Sequence, residues 1–144
     1  MIEKTGIPSA CTILGLSALE TKHPLHVGMV GMHGNYAPNK LTNECDVLIA
    51  IGMRFDDRVT GNLESYAKQA KVIHFDIDPS EIDKNVKTDV AVLGNSKETL
   101  AQIVPLLQTN SHPDWLKEFR NYDTIEFDKV IKDELYPTKE GITM

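Results

Sequence analysis

Apolar positions in this chain come in two patterns, compact blocks and helical stripes. Ile7–Ile13, Asp46–Ile51, Lys71–Phe75 and Val90–Leu93 are short, mostly apolar blocks bounded by glycine, proline or aspartate. Blocks this short without alternation read as strands buried on both faces, the habit of a parallel sheet. Pro8 suits the first residue of such a strand, where no ladder hydrogen bond is lost. The stripe formed by Leu100, Ile103, Val104 and Leu107 has the i, i+3, i+4, i+7 spacing of one helix face and predicts a helix over Ser96–Leu107. Asn95 or Ser96 is its natural N-cap, and Glu98 in the first turn complements the helix dipole. A second amphipathic segment runs from Pro113 to about Tyr122, with Trp115, Leu116 and Phe119 on one face. Leu63–Gln69 is compatible with a short helix, and Asn35–Glu44 is weakly helical, with Pro38 tolerable only in a first turn.

Four such strands, separated by helical or loop segments and without two-residue hairpin turns, predict an α/β fold with a parallel sheet and right-handed crossovers. A length of 144 residues suits one domain with a real core. Glu3–Pro8 reads as the last turn of a helix closed by Gly6, so the chain is expected to be part of something longer. Apolar residues thin out after Thr124, and Tyr136–Met144 reads as a linker leading elsewhere.

A net charge of −6 without a local basic patch argues against a nucleic-acid surface, since phosphate backbones need clustered cations. No apolar run approaches the ~20 residues of a membrane helix, and no leader-like segment opens the chain, so a cytoplasmic protein without a membrane contact is expected. Cys11 and Cys45 read as two small buried thiols in a reducing compartment rather than as a disulfide, and their separation excludes a zinc pair.

The segment Asp46–Gly61 carries the strongest functional signal. Its apolar half is the strand, and Gly52-Met53-Arg54-Phe55-Asp56-Asp57-Arg58-Val59-Thr60-Gly61 follows at the strand's carboxyl end. In open α/β sheets ligands bind in the crevice outside those ends. The charges form an internally paired surface loop, or else Arg54 and Arg58 face a phosphate or carboxylate while the aspartates hold them. Gly28, Gly31 and Gly34 permit a close backbone approach to a phosphate but also suit a tight loop, and they do not match the dinucleotide fingerprint. His33 stands near no sequence partner that would make it a base. Asp76, at the end of the next strand, is placed either to accept hydrogen bonds from a ribose or to start a turn. Asp76 and Asp78 lack the third oxygen ligand a metal needs. No nucleophile with an adjacent base and no acid–base pair appears, so no residue is assigned a catalytic or metal-binding role.

At Gly31-Met32-His33-Gly34, Gly52–Gly61 and His74-Phe75-Asp76-Ile77-Asp78 the chain closely resembles the catalytic subunit of acetolactate synthase (acetohydroxyacid synthase), over about Glu3 to Leu107 in the same order. The resemblance implies the middle of three domains, a doubly wound, Rossmann-like six-stranded parallel sheet that binds FAD. It implies a partial FAD domain over 1–108, lacking its first βα unit, and over 109–144 a helical extension and linker toward a C-terminal thiamine-diphosphate domain. It further implies thiamine diphosphate and Mg2+ held by the other two domains, a homo-oligomer of catalytic subunits, and a possible regulatory subunit. The reaction it implies condenses two pyruvates, or pyruvate and 2-oxobutyrate, with decarboxylation, on the route to branched-chain amino acids. FAD would meet Thr12 and Ile13, the loop Val30, Gly31, Met32 and His33, and on the pyrophosphate side Gly52, Met53, Arg54, Phe55 and Asp56. Asp76 and Ile77 would lie toward the adenosine, with Asn95 and Ser96 as a last contact where the family often has Asp. Asn35–Asn39 also departs from the family's usual Tyr-Ala-Asn-Tyr-Ala. The competing readings are a stand-alone nucleotide-binding module, another thiamine-diphosphate carboligase, and an NAD-using deacylase.

Overall fold

The computed structural model describes residues 1–135, and the linker expected at Tyr136–Met144 lies outside the described residues. Five strands form two parallel sheets. β1 (Ser9–Cys11) pairs with β2 (His26–Met29), while β3 (Val47–Ile51), β4 (Lys71–Asp76) and β5 (Val90–Leu93) make a second sheet in that order. Every pairing is parallel, with Ala50 opposite His74 and His74 opposite Ala91 at the centre of the larger sheet. The α/β class and the four strands anticipated from sequence are present.

The differences are local. β2 was not anticipated as a strand, because Gly28 interrupts a short, histidine-bearing segment. That glycine has φ 102°, and the ladder shifts there, the three residues Ser9–Cys11 standing opposite the four of His26–Met29. Instead of the six-stranded sheet implied by resemblance, the described residues form sheets of two and three strands, with β4 central and β3 at an edge.

Two apolar clusters organise the chain. Ala50 and Val72, on one face of the larger sheet, pack with Phe55, Tyr66 and Ala67. Val27 of β2 packs with Ala37 and Leu41 of α2 (Tyr36–Thr42) and with Phe119 of α5 (Pro113–Glu126), flanked by Trp115, Leu116 and Tyr122. The amphipathic face read in the C-terminal segment therefore covers β2. Pro38 sits in the first turn of α2, as its missing N–H requires. The helical run is longer than expected: α5 continues through a π turn at Phe127–Ile131 into α6 (Lys132–Leu135).

The helix expected over Ser96–Leu107 ends sooner. α4 spans Ser96–Ile103 and tightens into a 3-10 turn at Val104–Leu106. Pro105 has no N–H to continue the α ladder, although Val104 before it keeps right-handed helical geometry. Asn95 is the N-cap, its side chain accepting from Lys97 N–H at 2.9 Å, and all four stripe residues are half-buried. Leu63–Gln69 is a series of turns and not a helix. Ala67 is held at φ 44° by its N–H donating to Asn43 Oδ1 at 2.8 Å, and Gln69 reaches the carbonyls of Asn43 and Cys45.

At the start, α1 (Ile2–Thr5) is closed by Gly6 at φ 68°, as its capping pattern predicted. A Cβ there would lie 2.6 Å from Ser111 Cα, so only glycine fits, and Lys4 Nζ donates to Val104 O and Pro105 O. Both cysteines are free thiols whose pKa values burial pushes up, but only Cys11 is buried as expected, Cys45 being half-buried. Among the described residues no helix is long and apolar enough to cross a membrane.

Candidate functional site

Parallel strands put all their carboxyl ends on one rim, and each ladder carries one residue past the strand. Val30 N–H donates to Cys11 O, Gly52 N–H to Phe75 O and Gly94 N–H to Asp76 O, at 2.8–2.9 Å. The rims of the two sheets adjoin, because Met32 N–H donates to Arg58 O at 2.7 Å. Thr12 and Ile13 follow β1, Val30–His33 follow β2, Gly52–Asp56 follow β3, Asp76 ends β4 with Ile77 just after it, and Asn95 and Ser96 follow β5.

Within this rim the residues play different parts. Thr12 caps a 3-10 turn, its hydroxyl accepting from Gly15 N–H at 3.2 Å, and Ile13 beyond it is exposed. Gly31 is buried at φ 115°, while Met32 and His33 are exposed. Gly52 has φ 62° and no atom within 4 Å of where a Cβ would stand, so the backbone there lies open. Arg54 is 62% exposed and donates through Nη2 to Asp56 Oδ2 at 2.9 Å. Arg58 Nη1 meets Met32 Sδ at 3.5 Å and pairs with no aspartate among the described residues, where the carboxylate support expected for both arginines is found for Arg54.

Phe55 points the other way. Its ring is 2% exposed and stands edge-on to His74, with centroids 5.0 Å apart, and to Tyr66. Any ligand contact at Phe55 is limited to its backbone, and its carbonyl already accepts from Asn85 Nδ2 at 3.0 Å. The Asp57–Thr60 part of the loop is one helical turn, α3, stopped by Gly61.

Asp76 is 7% exposed. Its Oδ1 accepts from Asp78 N–H at 2.9 Å, and its Oδ2 lies 3.6 Å from His74 Nε2. Asp78 in turn accepts from Ser80 N–H at 2.8 Å, a bond that lowers its pKa, so both carboxylates serve the turn after β4. The loop chemistry therefore brings Val30, Gly31 and Met32 together with Arg58 around a cavity of about 260 Å3, also lined by Asn39 and Tyr66. Gly52, Arg54, Ile77 and Asn95 lie instead on the open rim. A larger hollow of about 640 Å3, between β2 and α5, is lined by Gly28 and Met29 but by none of the residues the resemblance assigns to FAD.

Sequence reasoning missed the side-chain amides that brace these loops. Asn39 takes both backbone polar groups of Gly31, and Asn35 Oδ1 accepts from Met29 N–H at 3.0 Å. The signal was present: asparagine is a poor helix former whose amide competes for backbone groups, yet Asn39 sits within α2.

A nucleotide cofactor fits this rim. The open backbone at Gly52 leaves room for a phosphate, Arg54 offers an exposed guanidinium, and Ile13, Met32 and Ile77 present apolar surface of 64%, 63% and 68% exposure for ring faces. Residues 1–103 match the family described as thiamine pyrophosphate enzyme, central domain. The chain is 49% identical over 107 residues to a probable acetolactate synthase large subunit of Methanocaldococcus jannaschii, covering 74% of this chain and 18% of that protein. It is 45% identical over 126 residues to the acetolactate synthase large subunit of Parasynechococcus marenigrum, covering 85% and 20%. It is also 40% identical over 121 residues to the acetolactate synthase isozyme 3 large subunit of Escherichia coli, covering 84% and 21%. The chain thus spans about a fifth of the length of the curated relatives it matches. On the match over residues 1–103 and the parallel α/β architecture, the chain belongs to the thiamine pyrophosphate enzyme central-domain family, within which it is similar to acetolactate synthase large subunits.

Proposed function

We propose that this chain is the central, FAD-binding part of an acetolactate synthase, an enzyme that condenses two pyruvates, or pyruvate and 2-oxobutyrate, with loss of carbon dioxide. The observation that carries the reading is the rim itself: Gly52, open at positive φ, stands beside the exposed Arg54 in an element whose relatives carry the acetolactate synthase name. Arg54 and the backbone of Gly52–Asp56 hold the FAD pyrophosphate, with Val30–His33, Thr12 and Ile13 along one side. Asp76 and Ile77 lie toward the adenosine, and Asn95 and Ser96 make the last contact. These residues bind and orient the cofactor, and none of them carries a reacting proton.

Thiamine diphosphate with Mg2+ supplies the carbanion stabilisation that such a decarboxylative condensation needs. Its binding residues belong to two other domains of the full-length chain. Residues 1–108 form the FAD domain, and 109–144 lead toward the C-terminal one. The catalytic subunits form a homo-oligomer, with a regulatory subunit as a further partner, in the cytoplasm. The exposed apolar side chains of Ile13, Leu14, Ile77 and Leu93 support burial of this rim by neighbouring protein or cofactor.

The test uses the full-length protein with pyruvate, thiamine diphosphate, Mg2+ and FAD. Formation of acetolactate with one stoichiometric flavin supports the reading. Turnover without acetolactate assigns the protein to a different thiamine-diphosphate carboligase, and a protein that takes up no flavin refutes the cofactor assignment.

A further inference from the structure

We propose that Asn39 is a positioning residue of the candidate cofactor site, holding the Val30–His33 loop in place against the Arg54–Gly61 segment. The inference rests on the FAD reading above and names the side chain that sets the geometry of one of its loops. Gly31 N–H donates to Asn39 Oδ1 at 2.9 Å, and Asn39 Nδ2 donates to Gly31 O at 2.8 Å. One amide side chain thus takes both polar groups of a single residue.

Asn39 does this from a firm base, since its neighbours in α2, Ala37 and Leu41, are 0% and 1% exposed. The next residue of the loop is tied from the other side, Met32 N–H donating to Arg58 O. Gly31 has no slack toward α3, because a Cβ on it would lie 2.9 Å from Arg58 O. The loop is therefore fixed at two successive residues, one by α2 and one by α3, and the exposed Met32 and His33 are presented from that fixed point. A buried residue needs partners for its backbone N–H and C=O, and here one side chain meets both needs at a conformation, φ 115°, that favours glycine. Without the Asn39 amide both groups face the cavity beside the loop, and the loop relaxes. Asn39 acts through Gly31 and touches no ligand itself.

The experiment uses the full-length protein. FAD is titrated by flavin fluorescence into cofactor-free wild type, Asn39→Ala and Asn39→Asp between about pH 8 and about pH 4, a range that reaches the ordinary carboxylate pKa of about 3.9. Amide hydrogen exchange at Gly31 and Met32 is followed in the same proteins without FAD. Asn39→Ala is expected to bind FAD about tenfold more weakly, the loss that follows from two neutral hydrogen bonds, and to exchange both amides faster. Asn39→Asp keeps the acceptor for Gly31 N–H but loses the donor to Gly31 O. Its affinity relative to wild type is expected to be low at the higher pH and to recover as pH falls, because the protonated carboxyl donates again. A role in folding alone gives no such recovery, and if Asn39→Ala fails to fold, Asn39→Asp carries the test.

Wild type that binds FAD while both variants bind as tightly at every pH overturns the proposal, as does unchanged exchange at Gly31 and Met32. Wild type that binds no FAD refutes the cofactor reading, and with it the role of Asn39 toward a cofactor. Exchange then reports only whether Asn39 holds the loop.

Discussion

Arg54 Nη2 donates to Asp56 Oδ2 at 2.9 Å across Phe55, whose ring turns into the core at φ 52°. Burying the middle residue is what leaves its two charged neighbours side by side on the rim. The pair is solvent-exposed and adds little stability, of order 0–1 kcal/mol, so its value lies in aiming the guanidinium.

Arg54→Ala in the full-length protein is expected to weaken FAD binding about tenfold to 150-fold. A hydrogen bond to a charged group contributes ~1.5–3 kcal/mol, at 1.4 kcal/mol per decade. Leu63→Ala, on an exposed turn away from the rim, should leave the affinity near wild type. Equal affinities for wild type and Arg54→Ala, measured by flavin fluorescence, would remove Arg54 from the site.

Phe55→Ala should instead act on the fold. The ring bridges Tyr66 and His74 in the cluster beneath β3 and β4, and truncating a buried Phe costs about 3–5 kcal/mol. Urea unfolding monitored in the full-length protein checks this, and a loss below about 1 kcal/mol would contradict the burial.

Two glycines separate stability from binding. Gly31→Ala meets both the positive φ and the Arg58 carbonyl, so a clear loss of thermal stability is expected. Gly52→Ala meets the φ penalty alone, about 1–2 kcal/mol, but puts a methyl where the proposed FAD phosphate would approach. Its FAD affinity should therefore fall more than its melting temperature. The reverse ranking in a paired melting and titration experiment would count against a ligand at Gly52.

Tyr66 gives a pH signature. Burial, with a smaller contribution from Cys45, raises its phenol pKa well above the usual value near 10. The folded state then holds the proton that the unfolded state releases. Stability linked to Tyr66 is fully present below about pH 10 and falls as pH rises toward the folded pKa. Comparing urea midpoints of wild type and Tyr66→Phe from about pH 8 to about pH 11 isolates the effect: the two curves should run parallel below about pH 10, with wild type alone losing the additional increment above it.

This chain by itself is expected to form no acetolactate from pyruvate supplied with thiamine diphosphate, Mg2+ and FAD. None of its residues is assigned a reacting role, and it spans about a fifth of its relatives. Acetolactate detected above a heat-killed control would show that reading to be wrong.

Much of the architecture is legible without coordinates. The blocks at β3, β4 and β5 announce parallel strands with their carboxyl ends on one rim. The burial on both faces expected of them holds only for the central β4, while β3 and β5 are mostly half-buried or exposed. Gly6 and Asn95 mark helix ends through bonds made within a few residues, so local sequence suffices for them. The charged loop after β3 is readable from sequence as a loop at a strand's carboxyl end, the place where open α/β sheets bind ligands.

Contacts between segments distant in sequence arise only when the chain is folded. β2 hides behind Gly28 because a bulged strand has no clean period. Leu63–Gln69 carries helix-compatible residues, yet Asn43 holds Ala67 in a left-handed turn. Phe55 lies in a string of charges that reads as surface, yet its ring fills the gap above His74. Asn39 looks like one more polar helix residue until Gly31 is brought beside it. Periodicity and capping encode what a residue does with its near neighbours along the chain. Which distant backbone group a side-chain amide brackets, and which ring completes a core, depends on how the strands and helices stack, and that is settled only when the chain has folded.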